Sequence, residues 1–183
     1  MINTILLSKK ELRKLALDKR KFLAQDGSIF KKSRLIVDKI VNSSEFKKAK
    51  NIALYVPIKN EIDLTPLLKI KDKNFFLPRC NGENLEFVKY FDKNSLKIGA
   101  FNILEPQGDK INPEILDIIY IPALMANEKN YRLGYGKGFY DRFFRNNTIK
   151  AIKNIVLSKE FITNDFVQDR FDIPCDKLIC EVW

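Results

Sequence analysis

The sequence predicts a single α/β domain. Three observations carry that reading. Two helical stretches open the chain, short apolar strands bounded by Pro, Gly or Asn follow, and neither an internal repeat nor a Pro-, Gly- or Ser-rich linker divides the 183 residues. With 45% hydrophobic residues, a chain of this length can bury one sizeable core.

The elements are argued in order. Ser8 and Glu11 have capping-box spacing, and Leu12, Leu15, Ala16, Phe22 and Leu23 follow at helical intervals, so a helix is predicted over Lys9 to Ala24. A second is predicted over Phe30 to Phe46. Ile52 to Val56 reads as a buried strand, and Thr65-Pro66 starts a short helix, because Thr caps well and Pro suits the first helical position. Strands Phe75 to Leu77 and Leu85 to Tyr90 flank the turn signal Asn81-Gly82, and Ile115 to Ile121, Ala151 to Leu157 and Lys177 to Val182 supply the remaining strands. Val56-Pro57, Leu77-Pro78 and Ile121-Pro122 each run a strand onto proline, which is expected to end sheet pairing. Ligands of open α/β sheets lie beyond the carboxyl ends of strands, so Glu61, Arg79 and the glycine loop after Pro122 are expected to converge. Three unrelated strand stops would leave the same trace.

Composition narrows the chemistry. Lys and Arg number 33 against 23 Asp and Glu, a net charge of +10 that suits a polyanionic partner without saying which. The chain has no His, so any chemistry rests on Lys, Arg, carboxylates, Tyr or a hard metal ion. Cys80, Cys175 and Cys180 are odd in number and lack zinc-site spacing, which reads as reduced cytosolic thiols. Met1 to Leu7 makes a poor signal peptide, no run approaches transmembrane length, and a cytoplasmic location is expected.

The most informative segment is Arg132-Leu133-Gly134-Tyr135-Gly136-Lys137-Gly138-Phe139-Tyr140-Asp141-Arg142. Alternate glycines let backbone N–H groups approach an anion, Arg132, Lys137 and Arg142 add charge, and a helix starting at Phe139 would favour phosphate at its N-terminus. Asp141 could hold Mg²⁺ against that phosphate. A plain glycine-rich loop would share the composition. The spacing is neither that of a P-loop nor G-x-G-x-x-G.

Taken whole, the segment resembles the signature of the 5-formyltetrahydrofolate cyclo-ligase (methenyltetrahydrofolate synthetase) family, approximately R-L-G-x-G-x-G-Y-Y-D, departing from it at Phe139. Further elements are similar in chain order. Lys9 and Arg13 match K-x-x-L-R, although the same pair would suit a solvated basic helix face. Tyr55 to Asp63 matches Y-x-x-x-x-x-E-(I/V)-(D/E). Asp172 to Ile179 matches D-x-x-x-D-x-(I/V/L)-(I/V/L), where Asp176 would equally serve to cap the strand that follows. Leu77-Pro78-Arg79 and Ile103-Leu104-Glu105-Pro106 add smaller matches.

The resemblance implies a single three-layer α/β/α domain over residues 1–183, with a central mainly parallel sheet and two N-terminal helices. It implies conversion of 5-formyltetrahydrofolate to 5,10-methenyltetrahydrofolate, driven by MgATP hydrolysis to ADP and phosphate through a phosphorylated formyl intermediate. Lys9, Arg13, Arg132, Leu133, Gly134, Tyr135, Gly136, Lys137, Gly138, Phe139 and Tyr140 are carried over for ATP. Lys137 and Arg132 are the catalytic cations, Val56, Glu61, Phe139 and Tyr140 meet folate, and Asp141 and Asp176 hold Mg²⁺. The implied partners are ATP and a folate that can carry several glutamates, with no nucleic acid and no membrane, and the chain is expected to act as a monomer.

Two departures bear on the folate side. Ala126-Asn127-Glu128-Lys129-Asn130 stands where the family has F-D-x-x-G, and Ile155 to Phe161 lacks a clear G-L-(A/S)-F-x-x-Q. Two other functions fit parts of the pattern. A basic nucleic-acid-binding module would use Lys and Arg with exposed aromatics, but the basic residues here are dispersed and the sequence has no RRM, KH or finger signature. A sugar-phosphate isomerase or acyl-CoA transferase of similar architecture requires no ATP and leaves Lys9, Arg13 and Asp141 unexplained.

Overall fold

The computed structural model describes residues 7–182, so the segment Met1 to Leu7 lies outside it except for Leu7. Helix α1 (Lys9–Gln25) begins at the predicted capping box, with Glu11 N–H donating to Ser8 and the Glu11 carboxylate accepting from Ser8 N–H at 2.8 Å. Its buried stripe is Leu12, Ala16 and Arg20. Helix α2 (Ser28–Asn42) follows Gly27. The single helix expected over Phe30 to Phe46 is in fact two. Ser43 is extended (φ −69°, ψ 145°), and its hydroxyl donates to Ile40 O and accepts from Phe46 N–H, so it ends α2 and caps α3 (Ser44–Lys48).

Strand β1 (Asn51–Ala53) is shorter than the expected Ile52 to Val56, because after one more bond, Leu54 N–H to Phe76 O at 2.9 Å, the chain leaves the sheet. The short helix expected at Thr65-Pro66 is a 3-10 helix over Thr65–Lys69 with Pro66 in its first positions, and Leu64 rather than Thr65 stands at its N-cap. Strands β2 (Asn74–Asn81) and β3 (Asn84–Lys89) form a hairpin on the Asn81-Gly82 signal, and β4 (Leu96–Ile98) pairs with β5 (Leu104–Pro106) outside the main sheet. Strand β6 (Ile118–Pro122) starts later than expected, since residues 113–115 form a turn and the Asp117 carboxylate accepts from Lys50 and Asn51 N–H. The short pair β7 (Met125–Ala126) and β8 (Arg132–Leu133) leads to α4 (Phe139–Asn146), then β9 (Ile152–Val156) and β10 (Lys177–Ile179). The last strand stops short of the expected Val182.

Pro78 does not end pairing. It lies inside β2 opposite Phe87, and alternation from Phe76 directs its missing N–H toward the side that β1 has already left. Pro122 does close β6, and Pro57 falls beyond β1.

Among the described residues the main sheet has the order β10-β9-β6-β1-β2-β3, parallel throughout except for the edge strand β3. Side chains of opposite parity enter two cores. Ala53, Phe76, Ile119, Ile121 and Ile155 pack with Leu12 and Ala16 of α1 and Phe143 and Phe144 of α4. Ile52, Phe75, Leu77, Ile118 and Tyr120 pack with Ile36 and Ile40 of α2 and Phe46 of α3. From β1 the chain proceeds to β2 on one side, and β6 then returns on the other. Strand order therefore reverses between β1 and β6, the crevice where open parallel sheets bind ligands.

Ile119 is 0% exposed in β6. Ile119→Ala is expected to destabilise the protein by about 2–5 kcal/mol through lost transfer energy and a residual cavity, measured as a lower urea midpoint at unchanged slope.

Candidate functional site

The two loops leaving the β1/β6 crevice meet. The loop after β1 carries Glu61, which is 6% exposed, and the segment after β6 carries residues 132–141. Tyr135 of the glycine loop donates its hydroxyl to Glu61 Oε1 at 3.1 Å, while Ile58 N–H holds Oε2 at 3.0 Å. Arg79, expected to join them, is held elsewhere, by Glu86 at 3.1 Å and the Gly108 carbonyl at 2.9 Å. Val56 is half-buried against the core beneath α2.

Glycine does specific work at two positions in the loop. Gly136 has φ +94°, and a Cβ there would stand 3.2 Å from the Arg13 guanidinium carbon; Gly138 has φ +67° and is the N-cap of α4. Arg13 Nε donates to Gly134 O at 2.8 Å, so the first helix pins the loop and lays a cation along it. Lys137 is exposed, its Nζ 6.0 Å from the centre of the Phe101 ring. The Phe139 ring meets Phe101 edge-on at 6.0 Å with Arg142 stacked over it, and Arg142 also donates to the Glu83 carbonyl on the β2–β3 turn.

Lys9, one turn before Arg13, is paired with Asp172 at 2.7 Å and Asp169 at 3.1 Å, which tethers α1 to the segment before β10. Leu133 is buried and its carbonyl accepts from Leu124 N–H. Arg132 is 7% exposed. Its guanidinium bonds Asp141 at 2.7 Å and the Ile173 carbonyl at 2.9 Å and stacks over Tyr140 and Phe144, which makes it an anchor for the carboxylate. Burial, reinforced by Glu61, pushes the Tyr140 hydroxyl up, so it stays protonated.

The carboxylates at 141 and 176 are differently engaged. Both bonds to Asp141, from Arg132 and from Ile173 N–H at 3.1 Å, fall on Oδ1, and among the described residues Oδ2 has no partner. One free, hard carboxylate oxygen in the first turn after a phosphate-type loop suits Mg²⁺, which keeps waters and phosphate oxygens as its other ligands. Asp176 Oδ2 accepts from Lys153 N–H at 2.7 Å and Oδ1 lies 3.8 Å from Lys153 Nζ, bonds that set the start of β9 against β10.

Sequence reasoning missed Arg20. It lies on the buried stripe of α1, 3% exposed, with Nη1 3.1 Å from Tyr135 Oη and 3.7 Å from Glu61 Oε1, and Nη2 donating to Ala123 O. The signal was available: Arg20 follows Arg13 by two helical turns, on the same face. The departing turn is also accounted for. Asn127 is buried and its Oδ1 accepts from Lys129 and Tyr131 N–H, while Asn130 takes φ +59°, so two asparagines do what Asp and Gly would do there.

The sequence matches the 5-formyltetrahydrofolate cyclo-ligase family over residues 6–181. It is 32% identical over 177 residues to the 5-formyltetrahydrofolate cyclo-ligase of Mycoplasma pneumoniae, covering 94% of this chain and 98% of that one. The Mycoplasma genitalium enzyme of the same name is 32% identical over 131 residues, 72% of each chain. The solved structure of Aquifex aeolicus 5,10-methenyltetrahydrofolate synthetase superposes with a TM-score of 0.82 at 36% identity, over 96% of this chain and 90% of that chain.

Burial pushes the Glu61 carboxyl from 4.5 up to about 7, against the opposing pull of Arg20, the Ile58 amide, Tyr135 and Lys59. The folded state therefore holds a proton that the unfolded state has released between those values. This contribution to stability is full below pH 4.5 and is lost as pH rises through about 7. Glu61→Gln removes the titration. Relative to wild type it is expected to gain about 3 kcal/mol between pH 4.5 and pH 8, read from urea unfolding across that range.

Proposed function

The chain belongs to the 5-formyltetrahydrofolate cyclo-ligase family, and we propose that it converts 5-formyltetrahydrofolate to 5,10-methenyltetrahydrofolate with cleavage of MgATP to ADP and phosphate. The observation that supports this most is the hydrogen bond between Tyr135 and Glu61, since it joins the folate-side carboxylate to the nucleotide-side loop in one crevice.

The chemistry asks for alignment more than for proton transfer. The formamide oxygen is a poor leaving group, and its attack on the γ-phosphorus, with cleavage of the bond to the β–γ bridging oxygen and release of ADP, makes it a phosphate ester of an imidate. N10 then attacks the activated carbon, loses its proton as the ring closes, and inorganic phosphate departs. In-line phosphoryl transfer needs fixed donors and neutralised charge, which suits a chain without His.

In this reading the N–H groups of Gly134 to Gly138 receive the phosphates, with Arg13 and Lys9 beside them. Lys137, exposed on the loop, stabilises charge on the transferring group. Lys9 would exchange Asp169 and Asp172 for phosphate. Arg132 acts by orienting Asp141, whose Oδ2 would hold Mg²⁺; Asp176, the second carboxylate by family resemblance, would have to exchange Lys153 for the ion. When bound, the ion would neutralise phosphate charge. Val56, Glu61, Phe139 and Tyr140 are the folate contacts, and Phe139 contributes packing without the hydroxyl of the family tyrosine.

Purified protein mixed with 5-formyltetrahydrofolate and MgATP is expected to develop the near-ultraviolet band of the methenyl product, and not without ATP or with EDTA. Asp141→Asn is expected to lower turnover by at least about a hundredfold while leaving the unfolding transition in place. Near-wild-type turnover in folded D141N protein would refute the metal role.

Gly136→Ala tests the cradle. The strained φ and the Arg13 guanidinium behind it are expected to weaken ATP binding about tenfold or more, by calorimetric titration. Unchanged ATP affinity would place the triphosphate elsewhere.

A further inference from the structure

We infer that Arg20 and Tyr135 are positioning residues for Glu61: together they fix the orientation and charge of the carboxylate that meets the folate. This rests on the cyclo-ligase reading and deepens it by adding a residue from α1 to the folate side of the site.

The geometry is a closed junction of three elements. The side chains of Arg20 and Glu61 are each 3% exposed and approach to 3.7 Å. Tyr135 Oη stands between them, 3.1 Å from Arg20 Nη1 and 3.1 Å from Glu61 Oε1. The guanidinium is itself immobilised, by the Ala123 carbonyl just beyond β6 and by the Phe161 ring 5.4 Å below it. With Ile58 N–H on the other oxygen at 3.0 Å, both Glu61 oxygens are tied and the carboxylate plane has little freedom.

Other charged and titratable groups facing Glu61 do not replace these two. Tyr55 gives its hydroxyl to the Ile62 carbonyl at 2.6 Å. Lys59 acts on Glu61 only through its field, its Nζ 5.0 Å from the centre of the Tyr135 ring, while Tyr55 and Tyr140 are themselves pushed up by burial and by Glu61. Burial drives Glu61 toward its neutral form, and Arg20 heads the forces that oppose it.

A purely structural role explains this poorly. Burying an ion pair is a weak way to stabilise a fold, and two apolar side chains would serve as well or better. What a guanidinium adds is a fixed, always charged fork. One face of α1 thus sends Arg13 to the glycine loop and Arg20 to Glu61.

The test is the carboxyl titration of Glu61 in ¹³C-glutamate-labelled protein, assigned with Glu61→Gln, together with the folate KM as a function of pH. Tyr135→Phe removes one hydroxyl and no charge, so it keeps the inference testable should Arg20→Met fail to fold. The midpoint is expected to rise in both variants, further in R20M. Each unit of rise cuts the ionised fraction about tenfold below the midpoint. The folate KM of R20M is therefore expected to be about tenfold higher near neutral pH and to recover in alkali, with the ATP KM within about twofold of wild type. A Glu61 midpoint that stays put in Y135F and R20M, or a KM increase equal at every pH, would overturn the inference. Absence of turnover by wild-type protein would instead overturn the cyclo-ligase reading, and the substrate-free titration would still decide what Arg20 and Tyr135 do to Glu61.

Discussion

The contact on which the site depends is the one Tyr135 makes with Glu61 and Arg20 at the reversal of strand order. A carboxylate that is 6% exposed would be costly alone, and it is tolerated because a guanidinium, a phenol and a backbone amide surround it. That requirement brings three distant pieces of chain together: the second half of α1, the loop leaving β1, and the glycine loop that follows β6 and β8. Two cores hold these pieces in register from opposite faces of the sheet. The crevice is therefore built from the ends of rigid elements, which keeps short-range polar geometry reproducible.

A second junction serves the anion side. Arg132, buried and anchored by the Ile173 carbonyl, directs one oxygen of Asp141 inward and leaves the other open. Lys9 and Asp172 tie the start of α1 to the same late segment, so both ends of the chain close around the glycine loop. Arg13 lies against Gly136 closely enough that a Cβ on that glycine would crowd the guanidinium, at a φ of +94° that disfavours one. On the proposed phosphoryl-transfer reading Arg13 already lies along the loop, held by the Gly134 carbonyl, whereas Lys9 must first release Asp169 and Asp172.

Much of this was legible in the sequence where a rule is local. Ser8 and Glu11 announced the start of α1, Asn81-Gly82 announced the hairpin, and the alternation of glycine and cation over residues 132–142 marked the loop. What was not legible depended on tertiary partners. Ser43 broke a helix because its hydroxyl found both Ile40 O and Phe46 N–H, and Pro78 stayed in a strand because its neighbour on one side had ended. Arg20 shares the helix face of Arg13, yet among so many cations only packing singles out the one that is 3% exposed. The asparagines at 127 and 130, a departure from the family pattern, build the turn through the Asn127 side chain and the left-handed backbone of Asn130.

The central claim is that this crevice transfers a phosphoryl group to the formyl oxygen, and isotope transfer tests it most directly. 5-Formyltetrahydrofolate carrying ¹⁸O in the formyl group would be converted with MgATP, and the inorganic phosphate examined by ³¹P NMR for the isotope shift. The account predicts one ¹⁸O in each phosphate released. Methenyl product accompanied by unlabelled phosphate would contradict it, because the formyl oxygen would then have left by a route that never bonds it to phosphorus.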